Sequence, residues 1–320
     1  MFLPIPTELF FTKNDVNDAR LGDIFKNAVD QSSVDDFLIF GYPDDDGIKF
    51  NGGRTGAALA PNMIRQFLYK MAVPETYYKS SKLKSSKYLD YGNLEINGDL
   101  FLRHEKSKQT LMTAYQRKTK IITFGGGHDY GYADGAAFIK THSTQNNSSS
   151  VKPLIINFDA HLDVRPTTQN LNSGTPFYRL LTEFKNQFNL LEIGLQPQCN
   201  SVQHWHWAVE QGAECISLTD IEKTNWTAVW QNKLIQQLQP TTPVFISFDI
   251  DALTAAEAGG CSQAWATGLK TAECLSFLSQ LYHKSNVRGF GIYEVSPPLD
   301  RDFQTSKTAA LLAYNFIFNS

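Results

Sequence analysis

The chain has 320 residues, 42% of them hydrophobic and 19% charged, which predicts a buried core and excludes global disorder. Its 29 basic and 32 acidic residues leave a net charge of −3, so neither nucleic acid nor an anionic membrane is expected as a partner. No run of about 18 apolar residues is present to cross a membrane.

The first segment, Met1 to Phe11, is apolar but lacks a basic flank and carries Pro4, Pro6 and Glu8. It reads poorly as a signal peptide. The four cysteines, Cys199, Cys215, Cys261 and Cys274, show no C-x-x-C spacing. Free thiols in a cytoplasmic protein are expected, not a disulfide framework or a zinc site.

Short runs rich in β-branched and aromatic residues recur along the chain. They are Asp36–Phe40, Lys120–Phe124, Leu154–Phe158, Leu190–Leu195, Glu214–Leu218, Val244–Phe248 and Arg288–Tyr293. Most are continuously apolar, as in strands covered on both faces. Helical stretches are expected at Ala60–Met71, Thr175–Asn186, Gln203–Gln211, Trp226–Leu238 and Thr271–His283. This alternation predicts an α/β fold with a central, mostly parallel sheet and helices on both faces. The lysine-rich segment Thr76–Lys87 and the low-complexity segment Thr141–Ser150 read as surface insertions. Neither is long enough to divide the chain, so residues 1–320 are expected to form one domain.

Three polar clusters follow predicted strands directly. Gly125-Gly126-Gly127-His128-Asp129 follows KIITF, Asp159-Ala160-His161-Leu162-Asp163 follows LIINF, and Asp249-Ile250-Asp251 follows VFISF. In a parallel sheet, ligands bind beyond the carboxyl ends of the strands, so the clusters are expected to meet on one rim. In extended backbone, residues at i, i+2 and i+4 point to one side. Each cluster has a plainer reading on its own: a turn with N-capping aspartates, or a tight glycine turn. Together they place four carboxylates and two imidazoles at one pocket. Such a set would take up protons or bind metal. Oxygen and nitrogen donors suit a hard to borderline divalent ion, and six ligands suggest two ions with shared carboxylates.

These motifs resemble the ureohydrolase family of arginase, agmatinase and their relatives. The resemblance runs from Gly53-Arg54-Thr55-Gly56-Ala57, with Pro61 and Ile64-Arg65, through GGGHD, DAHLD and SFDID, to Tyr293-Glu294-Val295-Ser296-Pro297. It implies a three-layer α/β/α arginase-like domain and two Mn2+ ions per chain. One ion would be held by His128, Asp159, Asp163 and Asp249. The other would be held by His161, Asp159, Asp249 and Asp251, with Asp159 and Asp249 bridging. A hydroxide between the ions would attack the amidine or guanidine carbon of a small-molecule substrate. By the same resemblance, Glu294 would pair with the substrate's cationic nitrogens, and Asp251 would pass a proton to the leaving nitrogen. Family members are often trimers or hexamers, so a homo-oligomer is compatible with the resemblance.

Three positions depart from arginase. Gly127 stands where arginases have aspartate. The loop Asn172-Ser173-Gly174-Thr175-Pro176 lacks the histidine that helps arginase shuttle protons. Arg165 lies near the expected far end of the substrate, and its planar fork suits a carboxylate. GGGHD, DAHLDVRP and NSGTPF together most resemble the formimidoylglutamase branch, whose substrate, N-formimidoyl-L-glutamate, yields L-glutamate and formamide in histidine degradation. Arg165, Asn172, Ser173 and Glu294 are the expected substrate contacts. Arg165 could instead be a surface or ion-pair residue, and Arg54, between two glycines, reads as structural.

The loop Ala252–Ser262 replaces the family's Asp-Pro continuation and could bring Cys261 and Ser262 to the pocket wall. His204 and His206, at i and i+2 on a predicted helix, do not share a face and read as ordinary helix residues. A guanidine hydrolase releasing urea is the alternative enzyme. A silent homologue serving as a binding subunit is a third reading, and it would be expected to have lost some of the ligand positions present here.

Overall fold

The computed structural model describes residues 1–28, 37–143, 151–235 and 237–320. Asp36 and most of the Thr141–Ser150 segment lie outside those residues.

Ten strands form one sheet: β1 (Phe2–Leu3), β2 (Phe25–Asn27), β3 (Phe37–Gly41), β4 (Tyr88–Leu94), β5 (Lys120–Phe124), β6 (Leu154–Phe158), β7 (Asn189–Leu195), β8 (Ala213–Ser217), β9 (Pro243–Asp249) and β10 (Asn286–Tyr293). The order is β1-β4-β3-β5-β10-β9-β6-β7-β8, with β2 also pairing with β4. Among the described residues, only β1 is antiparallel to its neighbour. The seven expected runs all become strands. β1, β2 and β4 are additions at the edge, two of them only two or three residues long.

The continuous apolar runs are explained by two cores. Along β6, Leu154, Ile156 and Phe158 enter one core and Ile155 enters the other. The first core is closed by helices Ala60–Leu68, Thr271–Lys284 and Gln304–Asn319, through residues such as Ile64, Phe277 and Phe316. The second is closed by Leu100–Gln116, Gly131–His142 and Pro176–Glu183, through Leu111, Phe138 and Leu180. The result is the three-layer arrangement expected. Each fully buried side chain of this size contributes about 1.5–3 kcal/mol of transfer free energy.

Two local expectations change. The predicted helix Trp226–Leu238 is a short α-helical turn, Trp226–Val229, running into a π-helical turn, Trp230–Leu234. The Thr76–Lys87 segment folds into two short helices, Glu75–Lys79 and Ser81–Ser85, neither with a fully buried residue. In the first-core layer, buried Arg65 pairs with buried Asp90 at 2.6 Å, and Tyr69 also donates to Asp90. This ties helix Ala60–Leu68 to β4.

Sheet order sets up the site. The strands that precede His128, Glu294, Asp249 and Asp159 are β5, β10, β9 and β6, four consecutive parallel neighbours. In register, Phe124 sits beside Ile292, Tyr293 beside Asp249, and Phe158 beside Phe248. All four strands therefore end at the same edge.

Candidate metal centre

The spacing of the acids works through turns, not extended backbone. The strand β6 stops at Phe158, and the Asp159 Oδ1 atom accepts the His161 N–H at 2.7 Å. Asp249 Oδ1 likewise accepts the Asp251 N–H at 2.9 Å, capping the short turn Ile250–Ala252. Each aspartate closes a turn two residues on, as Asx residues do. The capping reading therefore holds at both aspartates, and it leaves each carboxylate lone pairs with which to hold a cation. Asp163 and Glu294 have φ of 48° and 65°. Non-glycine residues in this left-handed region are uncommon and cluster at functional sites.

The side chains converge in two groups. His128, Asp159, Asp163 and Asp249 form the first, and Asp159, His161 and Asp251 the second. His128 Nδ1 lies 3.1 Å from Asp159 Oδ2, 3.0 Å from Asp163 Oδ2 and 3.2 Å from Asp249 Oδ2. His161 Nδ1 lies 3.1 Å from Asp251 Oδ2 and 3.5 Å from Asp159 Oδ1. Asp159 belongs to both groups, one oxygen to each. Asp249 falls in the first group only, although the family resemblance makes it a second bridge.

The donor set fits a pair of divalent ions. His128 Nδ1 is buried and makes no well-directed hydrogen bond, while three carboxylate oxygens surround it. Its other nitrogen is 2.8 Å from Ser247 Oγ, and its ring stacks on Tyr293 at 4.8 Å. Such outer contacts orient a metal-binding imidazole. Tyr293 in turn donates to buried Asp134 at 2.5 Å, as does Tyr42 at 2.5 Å, and Thr123 donates at 2.5 Å. Asp134→Ala is expected to strand three buried hydroxyls. At about 1 kcal/mol or more each, stability falls by about 3 kcal/mol, read as a melting temperature lower by roughly 5–10 °C.

Electrostatics agree with a cation site. Burial raises Asp163 to about 6, aided by neighbouring Asp159. Burial also raises Asp249 and Asp251, and pushes Glu294 up to about 8. Asp159 alone is held low: burial raises it, but His128 and His161 outweigh that. Both imidazoles are raised, because the surrounding carboxylates overcome the opposing effect of burial. Protons thus occupy the site in the absence of other cations. A divalent cation must displace them, so manganese affinity is expected to rise with pH, most steeply at the acid end of the range, with proton release. Calorimetric titration in buffers of different ionisation enthalpy checks this. A pH-independent affinity between 5.5 and 7.5 would refute it.

The two groups lie at the floor of a cavity of about 280 Å³. His161, Asp163, Asp249, Asp251 and Glu294 face it, while His128 and Asp159 lie beneath the lining. Glu294 is fixed by its N–H to the Gly126 carbonyl and by accepting the His128 N–H at 3.0 Å. Arg165 and Ser173 line the cavity as expected. Asn172 does not: its Oδ1 accepts the Gly174 N–H at 2.9 Å and its Nδ2 donates to Asn170 at 2.8 Å. It shapes the loop from behind. Arg54 is structural, donating to the Cys261 and Ser262 carbonyls at 3.0 and 2.8 Å. Ser262 reaches the cavity and Cys261 does not, and burial raises the Cys261 thiol. At Gly127, a Cβ would lie 2.3 Å from Asp129 Oδ1, which explains why the arginase aspartate has no place here.

Sequence reasoning missed other wall residues. His204 lines the mouth, unlike exposed His206, and Gln198, Asn200, Gln263 and Trp265 join it. They come from segments after β7 and β9 with no chemical motif of their own. Among the described residues, hydrogen bonds between Gln196 and Thr267, 2.6 and 3.2 Å, join these segments.

Comparison with known proteins agrees with this geometry. Residues 35–318 match the arginase family. The formimidoylglutamase of Legionella pneumophila (strain Paris) is 30% identical over 283 residues, covering 86% of this chain and 82% of that protein. The crystal structure of formimidoylglutamase from Bacillus subtilis superposes with a TM-score of 0.82 at 25% identity, over 96% of this chain and 93% of that one. That of Trypanosoma cruzi formiminoglutamase with Mn2+ gives 0.79 at 25% identity, over 94% and 98%. With its fold, its motif strands and most of its length in common with these proteins, the chain belongs to the arginase family.

Proposed function

We propose that the whole chain is one catalytic domain that hydrolyses a linear amidine with two Mn2+ ions, and that its substrate is N-formimidoyl-L-glutamate. The observation that carries the substrate assignment is the charge of the cavity. Its carboxylates, Asp163, Asp249, Asp251 and Glu294, all belong to the floor. Above them, Arg165 is the one Lys or Arg among the described lining residues, and no acid accompanies it. Arg165 makes no ion pair among the described residues. A substrate with a cationic amidine at one end and carboxylates at the other matches this polarity. A distal ammonium, as in agmatine, would meet Arg165 with like charge. The names of the Legionella and Bacillus relatives support the same reading.

When bound, the two ions supply water acidified enough to attack at neutral pH. His128, Asp159, Asp163, Asp249, His161 and Asp251 hold them. Glu294 accepts from the amidine nitrogens and orients the planar carbon over the floor. Addition of water makes that carbon tetrahedral. Asp251 takes a proton released by the added water and hands it to the glutamyl nitrogen, the carbon–nitrogen bond breaks, and L-glutamate and formamide leave. Arg165 and Ser173 hold the distal end during these steps. Four free thiols are compatible with a cytoplasmic site for this chemistry.

Gly174 has a specific part in the assignment. The Arg165 N–H donates to the Gly174 carbonyl at 2.8 Å, and the Arg165 stem crosses the glycine. A Cβ there would lie 2.8 Å from Arg165 Cδ and 3.0 Å from Nε. Gly174→Ala is therefore expected to move the guanidinium and raise KM about tenfold, with metal content unchanged. Steady-state kinetics and metal analysis check this together.

The deciding experiment is a substrate panel on manganese-loaded protein: formimidoylglutamate, arginine, agmatine and guanidinobutyrate. Formamide release from the first alone is expected. Urea release from any of the others would replace this reading with a guanidine hydrolase.

A further inference from the structure

We propose that Asn200 is a positioning residue that sets His161, and through it the second of the two metal positions, without touching the ion. The proposal rests on the two-ion reading given above. Its basis is a contrast between the two imidazoles. The His128 side chain is fully buried, stacked on Tyr293, edge-on to Phe177 at 5.5 Å, and bonded to Ser247. Packing and that hydrogen bond fix the ring. The His161 side chain is 23% exposed, the most open of the six candidate ligands, and has no ring contact among the described residues. Apart from Asp159, Asp251 and the Cys199 thiol, its position depends on the backbone that carries it.

Asn200 grips that backbone on both sides. Its Nδ2 donates to the Ala160 carbonyl at 2.8 Å, and its Oδ1 accepts the Leu162 N–H at 2.8 Å. The same Nδ2 also donates to the Gln196 carbonyl at 2.9 Å. The Gln196 N–H returns to the Ala160 carbonyl at 3.0 Å, so the grip is anchored in the extension of β7. One planar group must donate and accept at once. Only a carboxamide does this at that length: aspartate keeps the acceptor and loses the donors, and alanine loses both. The neighbouring ligands Asp159 and Asp163 are each held by a further backbone bond: the Asp159 N–H donates to the Ile193 carbonyl at 3.0 Å, and the Asp163 carbonyl accepts the Phe177 N–H at 3.2 Å. Loosening the grip should therefore act mainly on the ion that His161 would hold, and much less on the other.

The test is manganese binding to full-length protein, followed by equilibrium dialysis for the two affinities and by electron paramagnetic resonance for the spin-coupled pair. In Asn200→Ala, one ion is expected to bind within a few-fold of wild-type affinity and the other about 10–100-fold more weakly, the usual effect of removing an outer partner of a ligand. The coupled-pair signal gives way to that of isolated Mn2+. His161→Ala supplies the reference signature for loss of the second ion alone. Asn200→Asp, which keeps the acceptor for Leu162, is expected to fall between wild type and His161→Ala, and decides the matter should the alanine variant not fold. Two wild-type affinities in the variants would overturn the proposal. So would equal weakening of both ions, the mark of general loosening. A wild-type protein binding fewer than two ions would instead overturn the two-ion reading itself.

Discussion

Asp159→Asn is expected to remove both manganese ions and to lower turnover by on the order of 10³-fold or more. Asp159 is the one residue present in both ligand groups, with Oδ2 facing His128 and Oδ1 facing His161. The amide replaces one of those anionic oxygens by an N–H donor, which cannot bind a cation. It also removes a negative charge from a buried site proposed to hold two divalent ions. Removing a single preorganised donor from an active site already costs about 10²–10³ in rate. Here the source of the nucleophile goes as well. Metal analysis and turnover should fall together, while melting shows a folded chain. A variant that retained two ions at wild-type affinity would contradict the shared role of Asp159.

Arg165→Ala is expected to raise KM for formimidoylglutamate by about 10–100-fold while manganese content stays at the wild-type level. Losing one side of a charge-assisted contact costs a few kcal/mol when the pair is shielded, and less at an exposed position. Arg165 is exposed at the mouth, so the lower part of that range is expected at high salt. Substrates without a carboxylate should be affected little, which makes the ratio of the two KM changes the sharper measurement. An unchanged KM for formimidoylglutamate would remove the main physical support for a dicarboxylate substrate.

The legibility of the fold varied with the kind of signal each element carries. Buried parallel strands such as Lys120–Phe124 and Leu154–Phe158 match the structure residue for residue, because burial on both faces demands unbroken apolar runs. Three long helices were not visible in the same way. In Leu100–Gln116 the buried face includes Arg103, His104, Ser107 and Lys108, so the apolar stripe is broken. His104 is used there to contact Asp129 at 2.7 Å and Arg179 at 2.9 Å. Gly131–His142 is buried along nearly all its length, which leaves little amphipathic contrast. Gln304–Asn319 buries one face, but that face starts with Thr305 and Ser306 while Leu311 is exposed outside it, so the apolar contrast is weak. In β4, Asp90, Gly92 and Asn93 hide a strand whose buried aspartate is neutralised by Arg65 across the layer.

The candidate metal site shows the same division. The sequence by itself determined the two imidazoles and four carboxylates, because the chemistry of a divalent pair restricts its ligands to a few residue types, and strand ends set where they occur. It also determined the central strands, since both faces of each must be apolar. Only the tertiary structure decided how the ligands are aimed: through Asx turns at Asp159 and Asp249, with Asp163 and Glu294 held in left-handed backbone. It alone placed His204, Gln198 and Trp265 at the mouth, moved Asn172 behind the wall, and put Asn200 astride His161. The physical reason is that metal ligands are limited by their own chemistry, whereas wall and clamp residues are limited by where distant loops meet, and that is fixed by the order of strands in the sheet.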